Sequence, residues 1–202
     1  MTRYVAFEGI DGCGKDAQAD MLASHFASHG YDVAREREPD DTRPLGQAIR
    51  QMLATGRGMP ALALLFAADR VLAAPRREAA LAASGRAIVQ IRSFLSTMVY
   101  QSERWSRDAM IGMHEGCSVV PEVIVVLLVP PAVARARLAS RGRPAEVYET
   151  GAWLDTTAAA YAEWARVGEL LGSRIVAVDG VGSRDDVHGR VLAALGARRY
   201  SA

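Results

Sequence analysis

The sequence predicts an α/β domain: a parallel sheet of about five strands, covered by helices on both faces to make three layers. Three observations lead there. Short apolar runs alternate with longer stretches of helical character along the whole chain. One run, Val123 to Val129, is apolar without alternation, as expected of a strand buried on both faces. The first run, Tyr4 to Phe7, stops at glycines that open a helix-forming stretch, with Gly9, Gly14 and Lys15 spaced G-x-x-x-x-G-K. In that layout backbone N–H groups converge on an anion, the helix start adds partial positive charge, and the lysine reaches the outer phosphates. An ordinary glycine turn is the alternative for the loop alone, and the strand before it and the helix after it favour a phosphate loop.

The elements follow in order. Asp16 to His29 read as the first helix, and Asp32 to Arg35 as a second short strand. The polar, proline-bearing segment Glu36 to Thr42 is a loop at a strand end, where ligands sit in open α/β sheets. Pro44 to Thr55 form a helix closed by Gly56. Pro60 to Ala83 make one long helix or two, with a break near Pro75. Arg86 to Ile91 form the third strand, followed by a polar helix from about Phe94. Beyond Val129, Pro130 and Pro131 end the strand, Ala132 to Ser140 are helical, and Arg141 to Pro144 make a basic loop. A helix from Ala152 to Leu171, a strand from Arg174 to Val178 and a helix from Arg184 to Leu195 complete a single domain spanning residues 1–202.

The 202 residues suffice for a sizeable core, and half of them are hydrophobic. Lysine and arginine number 24 against 23 acidic residues, a net charge of +1, so bulk charge points to no polyanion-binding surface and anion recognition is local. Cys13 and Cys117 make neither a metal cluster nor a disulfide framework, and a reducing cytoplasm is the simplest setting. Cys13 reads as a small filler of the loop rather than a nucleophile. The chain enters its first strand without a secretory pattern, and its longest apolar run is too short to cross a membrane.

Five motifs taken in order resemble the thymidylate kinase family, nucleoside monophosphate kinases with the P-loop NTPase fold. FEGIDGCGK (Phe7 to Lys15) is similar to its F-E-G-x-D-G-x-G-K loop, and REPDDTRPLGQAIR (Arg37 to Arg50) to its R-E-P-G-G-T-x-L-G-x-x-I-R. LLFAADR (Leu64 to Arg70) matches letter for letter. Arg92, Ser96, Thr97, Tyr100 and Gln101 are similar to D-R-Y-x-x-S-x-x-A-Y-Q, and Glu146 to Glu149 resemble D-x-Y-E in a lid near 141–150.

The resemblance implies ATP and Mg²⁺ as cofactors, a nucleotide substrate, nucleotide biosynthesis in the cytoplasm and a homodimer packed through apolar helices. It implies that Gly9, Gly12, Cys13, Gly14, Lys15, Asp16 and Ala17 hold the donor phosphates, with Arg141 and Arg143 approaching from the lid. Phe66 would stack on the acceptor base and Arg70, one helical turn on, would bond a pyrimidine carbonyl. Taken alone, Phe66 reads equally as a core aromatic and Arg70 as a surface ion pair with Asp69. Ser96, Thr97 and Gln101 fall to the acceptor pocket, and Tyr100 lies against the sugar, disfavouring a 2′-hydroxyl. Arg92 would bridge donor and acceptor phosphates; Arg37 and Arg50 would clamp the acceptor phosphate, since a guanidinium offers phosphate a bidentate fork. Asp11 would touch the acceptor sugar or a metal-bound water, and Tyr148 and Glu149 would join the acceptor or metal network. A solvated charge is the alternative for Arg50 and for the lid carboxylates.

The chain departs from the family pattern at the chemistry. Asp16 and Ala17 replace the hydroxyl residues after Lys15, and Asp16 is therefore the candidate metal ligand. Ile91 and Ser93 flank Arg92 in place of an aspartate and an aromatic, Asp40 and Asp41 replace two glycines, and Leu128 an acidic strand residue. The leading expectation is phosphorylation of dTMP or a close deoxypyrimidine monophosphate. The alternatives are a divergent kinase acting on a modified pyrimidine nucleotide or a hydroxymethylpyrimidine in DNA, and a catalytically weak nucleotide-binding homologue.

Overall fold

The computed structural model describes residues 3–56, 59–115, 119–140 and 151–196. Six strands form one sheet in the order β2-β3-β1-β4-β6-β5. They are β1 (Tyr4–Glu8), β2 (Asp32–Arg37), β3 (Arg86–Ile91), β4 (Val123–Leu128), β5 (Glu169–Leu170) and β6 (Ser173–Asp179). The first four and β6 run parallel, as expected; the two-residue β5 pairs antiparallel at the edge. β1 is central, with Val5 opposite Val89 of β3 on one side and Val123 of β4 on the other. Every β1 residue is fully buried, which requires cover on both faces.

The helices are α1 (Lys15–Ser28), α2 (Pro44–Thr55), α3 (Leu62–Ala82), α4 (Phe94–Tyr100), α5 (Arg107–His114), α6 (Pro131–Ala139), α7 (Gly151–Trp164) and α8 (Arg184–Ala194). Right-handed crossovers put α1 on one face, because β1 connects leftward to β2, and α3, α4 and α7 on the other. The packing agrees: α1 adjoins α8, while α3, α4, α5 and α7 pack among themselves. Since these five strands share one direction, the loops after β1, β2, β3, β4 and β6 all emerge at the same end of the sheet. That end holds the site.

Three expectations are corrected. The helix over Ala152 to Leu171 ends at Trp164, and Glu169–Leu170 are strand. Leu171 (φ 52°) and Gly172 (φ 81°) both adopt left-handed backbone between β5 and β6, the geometry of a tight two-residue hairpin turn. The sheet accordingly has the five parallel strands expected and, in addition, a two-residue antiparallel strand at its edge. The helix around Pro75 is unbroken: α3 runs from Leu62 to Ala82 through the proline, which costs one backbone hydrogen bond. The helix from Phe94 is not polar: Phe94 to Val99 are all buried, and a separate helix, α5, follows behind a Ser106 cap.

Candidate active site

The glycines after β1 are required by space and by backbone angle. A Cβ on Gly9 would stand 2.6 Å from the Leu127 carbonyl oxygen, and one on Gly12 2.6 Å from that of Ala134. Gly14, left-handed at φ 99°, starts α1 with no side-chain cap, so the first N–H groups of the helix face outward toward an anion. Cys13 is buried and its thiol is pushed up by that burial, as a filler of the loop and not a nucleophile should be.

Asp11 joins the two cations expected to act. Its Oδ1 accepts from Lys15 Nζ at 2.8 Å and from an Arg92 terminal nitrogen at 2.7 Å. Lys15 is 4% exposed; burial is the strongest influence and pulls its ammonium pKa down, but Asp11 together with Cys13 and Tyr100 leaves it above the ordinary value. Arg92 has a left-handed backbone (φ 67°), unusual for a residue with a side chain. Its N–H donates to Phe7 O at 2.9 Å, and its carbonyl accepts from Gln90 Nε2 at 2.6 Å. These bonds turn the guanidinium over the end of β1, where it reaches Ser96 Oγ at 3.3 Å and lies 5.2 Å from the Tyr100 ring centre.

On one side of this junction a cleft of about 610 Å³, measured to its open mouth, gathers most of the predicted acceptor residues. Asp11, Arg92, Ser96, Thr97, Tyr100 and Gln101 line it, together with Arg50, Phe66, Pro39 and Leu53. Arg70 stands behind Phe66 and is only 2% exposed. It donates to Glu38 at 2.7 Å, Thr97 Oγ1 at 2.9 Å and Ser93 O at 2.9 Å. Its carboxylate partner is thus Glu38 and not Asp69, whose Oδ2 accepts from the Asp40 N–H. Glu38 also takes Arg77 and Gln90, so this buried charge is fully partnered.

Arg37 lies outside the cleft, in a groove beside Asp40, Asp41 and Thr42, and is paired with Asp16 of the phosphate loop. Arg50 approaches Asp41 at 3.9 Å. Asp40 does not confront the cleft as an open charge. Thr42 donates to it, and Arg43 and Arg76 sit 3.0 and 3.5 Å away, holding its carboxyl below the usual range despite burial.

On the other side of the junction a larger groove, about 970 Å³ to its mouth, runs from Gly12, Gly14, Asp16 and Ala17 to Gly180 and Ser183 after β6. Arg137, on the last turn of α6, stitches its floor, donating to Cys13 O at 3.1 Å, Gly12 O at 3.4 Å and Gly180 O at 3.1 Å. Sequence reasoning missed Arg137; the one signal for it is a basic residue closing the helix that follows the most apolar strand. It also missed Glu8 and Tyr161, whose bonds support Arg92 from below. Arg141, Arg143, Tyr148 and Glu149 lie outside the described residues, as does the rest of the expected lid.

The arrangement is a phosphate loop between two pockets, with a lysine and an arginine joined over the central strand. The sequence profile of the thymidylate kinase family matches residues 7–190. The chain belongs to that family. A probable thymidylate kinase of Thermococcus kodakarensis is 35% identical over 157 residues, covering 68% of this chain and 72% of the relative. A putative thymidylate kinase of Aeropyrum pernix is 31% identical, with 98% of this chain and 99% of the relative covered. A probable thymidylate kinase of Methanothermobacter thermautotrophicus reaches 42% over about half of each chain, 50% and 54%. Members of the thymidylate kinase family are nucleoside monophosphate kinases, that is, phosphotransferases. Among the described residues no helix is long and apolar enough to cross a membrane.

Proposed function

We propose that this kinase transfers the γ-phosphoryl group of ATP to the phosphate of dTMP or a closely related deoxypyrimidine monophosphate. The observation that carries the reading is the Asp11 carboxylate holding Lys15 and Arg92 together between the two pockets, at 2.8 and 2.7 Å. In the transfer an acceptor phosphate oxygen bonds to the γ-phosphorus as the bond from that phosphorus to the β-bridging oxygen breaks. Little covalent work falls to the protein, and rate comes from positioning and charge neutralisation. Lys15 and the N–H groups of the loop and of the α1 start hold the donor phosphates. Arg92 spans donor and acceptor phosphates. Arg50, and Arg37 when it leaves Asp16, clamp the acceptor phosphate, with Arg141 and Arg143 approaching the donor. Phe66 stacks on the base, Thr97 bonds its polar edge, Ser96 and Gln101 belong to the same pocket, and Arg70 backs that wall. Tyr100 lies where a 2′-hydroxyl would be, and Tyr148 and Glu149 are assigned to the acceptor side.

Mg²⁺ fits this donor set. Among the described residues no cluster of three or more acidic, histidine or cysteine side chains could hold an ion alone. A magnesium held by one or two carboxylates and by substrate phosphates needs no such cluster. Asp16, at the start of α1 and paired with Arg37, and Asp11, paired with Lys15 and Arg92, are the carboxylates that would hold it, and the ion would neutralise charge on the phosphates.

The carboxylates beside Arg50 are what favour a different acceptor, and the pairing of Asp40 with Arg43 and Arg76 weakens that case. A homodimer in the cytoplasm completes the reading. Its support is α3, whose outer face exposes Leu64 (50%), Val71 (45%) and Leu72 (59%), a stripe at helical spacing. The test is a coupled ADP-release assay across nucleoside monophosphates. Turnover with dTMP, and less with the ribose analogue, is expected; nucleotide binding without turnover on any deoxypyrimidine monophosphate overturns the proposal.

A further inference from the structure

Glu8, the last residue of the central strand β1, is a fully buried carboxylate that lines neither pocket. Its Oε1 accepts from Ser93 N at 2.6 Å, Ser93 Oγ at 2.8 Å and Ser96 N at 3.1 Å. Its Oε2 accepts from Ser96 Oγ at 2.8 Å and Tyr161 Oη at 2.7 Å. An ionised carboxylate only accepts, so these hydroxyls all point their protons at Glu8. The direction of the next bond follows. Ser96 has spent its one proton on Glu8, so its oxygen presents lone pairs, and Arg92 donates to it at 3.3 Å. Arg92 then reaches Asp11 with its other terminal nitrogen.

Tyr161 thus stands at the start of a directed chain: Tyr161 and Ser96 onto Glu8, Arg92 onto Ser96, Arg92 and Lys15 onto Asp11. The same side chain makes a second contact, its ring meeting Tyr100 edge-on with centroids 6.3 Å apart. It is 1% exposed and lies on α7, an element with no residue in either pocket among those described.

We propose that Tyr161 is a positioning residue for both halves of the acceptor site. Its hydroxyl keeps Glu8 saturated so that Ser96 offers Arg92 a lone pair, and its ring holds Tyr100 against the sugar. Without the hydroxyl, Glu8 Oε2 keeps only Ser96 Oγ, and Arg92, already bonded to Ser96, is the cation in this network that can supply the missing donor. The guanidinium then turns down toward Glu8 and away from the phosphates. Burial makes that exchange costly to avoid, because a carboxylate in a dry interior keeps as many donors as it can reach.

The inference rests on the phosphotransfer reading, and the two roles separate by substitution. Tyr161→Phe keeps the ring and loses the hydroxyl: kcat should fall about tenfold, with acceptor KM within about twofold and the deoxyribose preference kept. Tyr161→Leu loses both, and should in addition raise acceptor KM and relax that preference. A purely structural role would instead lower the thermal midpoint and leave the kcat to KM split of folded enzyme unmoved. In a Ser96→Ala background, Tyr161→Phe should cost nothing further in kcat; a second full tenfold loss refutes the route through Ser96. Unchanged kcat in Tyr161→Phe refutes the proposal outright. If the wild-type chain transfers no phosphoryl group, the kinase reading falls by itself. The proposal is then decided by a crystal structure of Tyr161→Phe, where Arg92 displaced toward Glu8 sustains it and Arg92 unmoved overturns it.

Discussion

Removing the carboxylate after Lys15 should move nucleotide affinity in opposite directions with and without magnesium. Asp16 and its partner Arg37 are 50% and 39% exposed, so their ion pair stabilises the fold by only about 0–1 kcal/mol and Asp16→Ala should remain folded. Toward donor phosphates the charge matters more. Like charges about 4 Å apart repel by roughly 4 kcal/mol at an effective dielectric near 20. Half exposure and the neighbouring Arg37 reduce that to about 1–2 kcal/mol, roughly a tenfold change in affinity. A magnesium between carboxylate and phosphates reverses the sign, because a hard cation prefers both kinds of oxygen. Calorimetric titration of ATP into Asp16→Ala should therefore show binding about tenfold tighter than wild type in chelator, and about tenfold weaker in saturating magnesium. Tighter binding in both conditions would refute the metal role and leave Asp16 as a charge that the site merely tolerates.

Lys15→Ala removes a cation facing two or three phosphate charges in a partly dry site, so turnover should drop by several orders of magnitude with the fold retained; near-normal activity would sink the loop assignment. His114, buried against Arg70 and pushed down to about 3 by desolvation first and by that arginine second, binds its proton in the unfolded chain more readily than in the folded one. Stability from this site is therefore full above about pH 6.5 and is lost as pH falls from there toward 3, by up to about 1.4 kcal/mol per pH unit. Urea unfolding at neutral and acid pH should show that slope in wild type and a shallower one in His114→Leu. Leu72→Glu, on the outer face of α3, should leave the acceptor cleft intact and yield monomer by sedimentation if copies of the chain meet there.

Local features were legible and distant ones were not. The phosphate loop, the start of α2 and the strands up to β4 are specified by neighbours a few residues apart, and they appear within a residue or two of expectation. Within α4, helical spacing brings Ser96, Thr97 and Tyr100 to one cleft, but that Phe66 of α3 lines the same cleft is set by packing between helices. Tyr161 bonds Glu8 across 153 residues and Arg137 reaches Cys13 across 124, and no spacing rule connects such pairs. Arg37 was readable as a phosphate clamp, but its pairing with Asp16 depends on β2 and the phosphate loop ending at one level of the sheet. The β5 hairpin was hidden because Glu169, Leu170 and Leu171 are as apt for a helix end as for a strand; two left-handed residues at the turn decide it. Arg70 shows the same limit, since a motif names the residue but not that each of its three nitrogens already donates, to Glu38, Thr97 and Ser93.

The two faces of α3 carry a thermodynamic consequence. One face puts Phe66 in the acceptor cleft and anchors Arg70 and Arg77 on Glu38; the other presents Leu64, Val71 and Leu72. Where a second copy covers that outer stripe, self-association and acceptor binding act on one rod, and neither equilibrium is independent of the other. Apparent acceptor affinity then varies with protein concentration. By linkage, acceptor lowers the concentration of half-association by the same factor that association raises acceptor affinity.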